Sequence, residues 1–124
     1  MVSPKDWLLF AENDLKTAKA ALADDIPSNA CFLAQQTVEK SLKGLILVTN
    51  QDIPKTHDLL FLLKKSGLSQ FREECVFLDK FYIPTRYPDA ILGSLHEGLP
   101  DKIKAKQAIG YAEQIFNFIK GKIE

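Results

Sequence analysis

"SNACFLAQQTVEKSLKGLILVT", residues 28–49, is the longest periodic stretch of the chain, and its period is helical. Cys31, Ala34, Val38, Leu42 and Leu45 recur at spacings of three and four, which sets them on one face of an α-helix. Ser28 supplies a side-chain oxygen suited to capping the first turn. Gln36, Lys40 and Lys43 share the opposite side, where Phe32, Leu33 and Leu47 also stand toward its ends. A helix that is apolar on two sides belongs at the centre of a bundle or at an interface.

The segments on either side have the same period. Residues 3–23 read as a helix with Ser3 as cap, Pro4 at the first position and Asp6 in the first turn. Its face of Trp7, Ala11, Leu15, Ala18 and Leu22 includes Asp14, a carboxylate that needs a cation if it is buried. Beyond "NQDIPKT", Thr56 is placed to cap a helix over 57–66 that closes at Gly67. Ser69 introduces a fourth helix over 69–82, with Phe71, Cys75, Leu78 and Tyr82 at helical spacing. The Pro- and Gly-rich "PTRYPDAILGSLHEGLP" reads as an ordered loop. A last helix over 100–122, with Pro100 at its start, buries Ala105, Ala108, Ile109, Ala112, Ile115, Phe116 and Ile119. No window alternates apolar and polar residues, so the fold class is all-α, in one domain over 1–124.

Composition excludes several functional classes. Sixteen Lys+Arg balance sixteen Asp+Glu, so no global positive field draws the chain to nucleic acid or an anionic membrane, and any anion site is local. "MVSPKDWLLFAEND" has neither the basic segment nor the long apolar run of a signal peptide, and no apolar stretch is long enough to span a bilayer; a cytoplasmic protein with no membrane partner is expected. Cys31 and Cys75 are 44 positions apart with no CxxC pair, which argues against a zinc site or a disulfide framework and for two small core residues. No metal and no cofactor is expected.

In chain order, "WLLFAENDLKTAKAAL", "CFLAQQTVEKSLKGLIL", "IPKTHDLLFLL" and "RYPD", ahead of a final amphipathic helix, resemble the higher eukaryote and prokaryote nucleotide-binding (HEPN) domain. The resemblance covers nearly the whole chain. It implies an up-and-down bundle of four or five helices that forms a homodimer, often with a small nucleotidyltransferase as partner. Some relatives are RNases, recognised by an arginine followed four to six residues later by a histidine. This chain departs from that pattern: Arg86 and His96 have nine residues between them, and Arg72 has no histidine after it until His96. On one helix, an offset of ten positions would set the two side chains about 80° apart around the axis and ~15 Å apart along it.

The remaining candidates suit anion binding. Lys40 and Lys43, with Gln36 one turn earlier, can offer two ammonium groups and an amide to a nucleotide or RNA phosphate; the alternative is a solvated charged face. Arg86 offers a planar fork of donors and Tyr87 a flat face for a base. Arg86 is equally suited to pair with Asp14, as is Lys43 or another lysine of the second helix. Asp89 is placed to cap a turn after "RYP". His57, at the start of its helix, faces an amide dipole that disfavours the imidazolium, offset in part by Asp58. The resemblance sets it near the helix-two lysines, as a ligand contact rather than a catalytic base, although packing is the commoner role for a lone histidine. The chain therefore reads as a non-catalytic nucleotide-binding and interaction module. The alternatives are a metal-independent endoribonuclease of the toxin type and a ligand-free structural dimer.

Overall fold

The structure, a computed structural model, describes residues 2–82 and 99–124. Among these residues there are five helices and no strand: α1 (Pro4–Ala23), α2 (Pro27–Val48), α3 (Leu59–Ser66), α4 (Arg72–Asp79) and α5 (Lys102–Ile123). The all-α expectation holds.

The ends of the helices follow local chemistry, in places at positions other than those expected. In α1 the Ser3 hydroxyl accepts the Asp6 N–H at 3.2 Å, and the Asp6 carboxylate accepts the Ser3 N–H at 2.8 Å, a reciprocal box that satisfies two N–H groups at the start of the helix. α2 is not capped by Ser28. It begins one residue earlier, at Pro27, whose fixed φ suits the first helical position and whose missing N–H leaves one fewer donor to satisfy; Ile26 precedes it with no side-chain cap. α3 is capped by Asp58 and not by Thr56: the Asp58 carboxylate accepts the N–H groups of Leu60 and Phe61 at 3.0 and 3.2 Å, while the Thr56 hydroxyl takes the N–H of Asp58. Asp caps helices better than Thr, and the shift leaves His57 just outside the helix. Gly67 closes α3 at φ +82°, as its position suggested.

α4 starts after Phe71, which takes the left-handed φ of +74°, so Ser69 does not cap it and both Phe71 and Tyr82 flank the helix instead of lying within it. Asp101 caps α5 by accepting the Lys104 N–H at 2.9 Å, and Pro100 precedes the helix. All seven core residues expected on α5 are buried.

α2 is the centre of the bundle. It packs chiefly against α1 and α5, with α3 and α4 over its remaining flank. Its face of Cys31, Ala34, Val38, Leu42 and Leu45 is buried, Phe32, Leu33 and Leu47 on the other side are half-buried, and even Gln35, Thr37, Glu39, Ser41 and Lys43 are buried. Thr37 and Ser41 satisfy themselves by donating to the carbonyls of Leu33 and Thr37, one turn back. Gly44 allows α1 to come close: a Cβ there would lie 3.0 Å from the Trp7 Cβ and 3.3 Å from the Pro4 carbonyl. Along α1, Leu8, Ala11, Leu15 and Ala18 form the buried stripe, with Trp7 and Leu22 only partly covered at its margin. Cys31 and Cys75 are unpaired and fully buried, and burial pushes each thiol up to about 12. Among the described residues no helix is long and apolar enough to cross a membrane.

Candidate functional site

Glu39, at the middle of α2, organises the most polar region of the interior. Its carboxylate receives the Lys43 ammonium at 3.0 Å on Oε2, and on Oε1 the Gln36 amide at 3.2 Å and His57 Nδ1 at 3.0 Å. The spacing of Glu39 and Lys43, four residues on one helix, makes the first contact local. The Gln36 contact, three residues back on the same helix, is local too, whereas the His57 contact depends on the link between α2 and α3 folding back over the polar flank of α2.

That fold-back is fixed at several points. Gln35 is fully buried; its amide donates to the His57 carbonyl at 3.1 Å, and its oxygen accepts from Gln36 at 2.8 Å. Two residues on, the Leu59 N–H is held by both Asp79 carboxylate oxygens at 3.1 Å each, which ties the start of α3 to the end of α4. Burial pushes the Asp79 carboxyl above its ordinary value of 3.8, opposed in part by the Leu59 N–H. The imidazole of His57 stacks on the Tyr82 ring, with centroids 4.1 Å apart and planes within 15°. Tyr82 also stacks with Phe32 of α2 at 6.1 Å. His57 is therefore held at its carbonyl, at Nδ1 and across its ring face, and its side chain is still 51% exposed.

The expected site residues separate into two groups. Gln36, Lys43 and His57 come together around Glu39. Lys40 does not join them: its ammonium lies 2.5 Å from Asp14 of α1. The two lysines expected to meet a phosphate together are each occupied by a carboxylate of the chain itself. Asp14 thus has a cation from α2; Arg86, the other partner considered for it, lies outside the described residues, as do Tyr87, Asp89 and His96. Near Lys43, whose ammonium lies 5.9 Å from the centre of the Trp7 ring, Trp7 Nε1 is buried with no hydrogen-bond partner among the described residues.

Sequence reasoning passed over three members of the site. Glu39 was legible as the acidic partner of an i, i+4 pair with Lys43. Gln35 lies beside the polar stripe and carries no signal of its own. Tyr82 has the spacing of a residue in the fourth helix and is instead the platform under His57.

The HEPN domain profile matches residues 4–122. Among solved structures, TT1696 from Thermus thermophilus is 34% identical, with a TM-score of 0.81 over 98% of this chain and 99% of that one. ST0689, described as an archaeal HEPN homologue, is 33% identical, with a TM-score of 0.79 over the full length of both chains. A Methanocaldococcus jannaschii protein named "Putative toxin MJ1304" is 26% identical, covering 94% of this chain and 85% of its own length.

Proposed function

This chain belongs to the HEPN domain family, and from that premise we propose that it is a non-catalytic, cytoplasmic nucleotide-binding module whose ligand lies against His57 and Tyr82. The observation that carries the reading is the half-exposed imidazole, fixed on a tyrosine ring and tied to a buried carboxylate. Stacking on an aromatic ring suits any base and contributes about 1–3 kcal/mol, and a few polar contacts extend this to affinities on the order of micromolar to millimolar. Lys40 and Lys43 act here through the carboxylates they hold, so direct phosphate contact passes to other groups. Arg86 and Tyr87, which follow Tyr82 closely in sequence, are the residue types for that role.

Titration of the protein with adenosine monophosphate, followed by amide chemical shifts, tests the reading. Shifts concentrated at His57, Tyr82 and α2, lost in both His57→Ala and Tyr82→Ala variants that remain folded, are expected. The absence of any response at millimolar nucleotide overturns it. The family resemblance adds two partners to the proposal, a second copy of the chain and a nucleotidyltransferase; sedimentation at micromolar concentration tests the first and co-purification the second. A second reading, a toxin-type endoribonuclease, draws on the name of the Methanocaldococcus jannaschii relative. Cleavage of single-stranded RNA without added metal, abolished by Arg86→Ala, would favour it.

A further inference from the structure

We propose that Glu39 locks His57 in the tautomer with hydrogen on Nδ1, so that Nε2 is offered to the ligand as a bare acceptor and selects a ribose hydroxyl. The inference rests on the nucleotide reading above. Its first step is a count of hydrogens. Oε1 of Glu39 already accepts from Gln36 and Oε2 from the Lys43 ammonium, so the carboxylate acts as an acceptor throughout. An acceptor oxygen and a ring nitrogen 3.0 Å apart need a hydrogen between them, and here it belongs to Nδ1. In the neutral ring Nε2 then carries only a lone pair. No partner for Nε2 occurs among the described residues, and the side chain is half exposed.

The second step is the choice of ligand group. A phosphate at neutral pH offers almost only acceptors, so a bare Nε2 does not attract it. Hydroxyl and amine hydrogens are what it accepts. Its lone pair lies in the imidazole plane, and that plane is nearly parallel to Tyr82. A base added to the stack lies in a further parallel plane, so the donors on its edge point alongside the imidazole and not toward it. The sugar projects out of the base plane, and its 2′-hydroxyl can reach the lone pair. The site is thereby built to prefer a ribonucleotide over a deoxyribonucleotide.

Nitrogen-15 imidazole spectra of the unliganded protein test the first step, and paired titrations with adenosine monophosphate and 2′-deoxyadenosine monophosphate test the second. Hydrogen on Nδ1 is expected, along with roughly fivefold tighter binding of the ribonucleotide, the range of one net hydrogen bond. His57→Phe keeps a ring on Tyr82, and it should bind both nucleotides equally. Hydrogen on Nε2, or equal affinities in the unmodified protein, overturns the inference and leaves nucleotide binding in place. Binding of neither nucleotide removes the broader reading and this one with it.

Discussion

Replacing Glu39 with Gln probes the energetic centre of the bundle. The side chains of Glu39 and Lys43 are 6% and 10% exposed, so neither charge is screened by water to any extent. Breaking such a pair by removing one member costs about 3–5 kcal/mol, because the other charge stays buried without its counter-charge. Glutamine retains a carbonyl that can accept from Lys43, which places the expected loss at the lower end, about 3 kcal/mol. For a domain whose whole stability is of order 5–15 kcal/mol, that is a large fraction. With a urea slope of about 1.5 kcal/mol/M, the unfolding midpoint should fall by about 2 M at unchanged slope. Adding Lys43→Met to Glu39→Gln removes the orphaned charge and should recover most of the loss. A shift within about 0.5 kcal/mol, the range of ordinary surface changes, would refute the reasoning, as would a double variant no more stable than the single one.

Asp14→Ala should cost about 2 kcal/mol in the same assay, less than Glu39→Gln, because Asp14 and Lys40 are 18% and 26% exposed and water can partly replace the missing partner. Glu113→Ala, at the exposed pair with Lys19, should change stability by no more than about 0.5 kcal/mol; a larger loss there than at Asp14 would invert the argument from burial. Gly44→Ala should destabilise by about 1–2 kcal/mol although alanine is the better helix former, since the new methyl meets the Trp7 Cβ and the Pro4 carbonyl; an unfolding midpoint above that of the parent would show that α1 moves away freely. Asp79 titrates above its ordinary value in the folded chain, so the folded state holds its proton more firmly than the unfolded state. Stability is therefore lost as pH rises from about the ordinary value of 3.8 through the raised one. Asp79→Asn should remove that loss, and urea midpoints for the two proteins across the acid range should diverge in this direction; parallel curves would count against the burial assigned to Asp79.

The fold was legible because the apolar residues of α2 and α5 recur at the helical period and the positions this picks out are buried, even though α2 buries polar residues beyond that face as well. Cys31, Ala34, Val38, Leu42 and Leu45 are all in the core, as are the seven residues picked out on α5. The helix starts were less so. Thr56 and Asp58 are both good caps two residues apart, and only the path of the chain decides which one meets free N–H groups. Phe71 and Tyr82 have the right spacing for a fourth helix, but Phe71 takes a left-handed backbone that no side-chain pattern announces. The two-sided apolar character of α2 suggested either a central helix or an interface; α1 and α5 pack on it at the centre of the bundle, while Phe32, Leu33 and Leu47 stay half-buried.

The site was harder to read, for a reason that follows from the same helix. A wheel gives the angle at which Gln36, Lys40 and Lys43 leave α2, but not what occupies the space they enter. Asp14 stood out as a carboxylate in need of a cation, and α1 brings it to Lys40. Glu39 sits among the lysines and takes Lys43 by the i, i+4 rule. Once both ammonium groups have carboxylates, the polar stripe that looked like an anion cradle becomes a set of internal pairs, and of the expected site residues described, His57 is the one that faces outward. Its position depends on a fold-back through Gln35, Glu39 and Tyr82, elements far apart in sequence. A lone histidine in "KTHDLL" thus acquires its orientation from side chains that the stretch itself does not contain, and a half-exposed ring held by a buried carboxylate that also takes Gln36 and Lys43 is the feature on which the proposed nucleotide site rests.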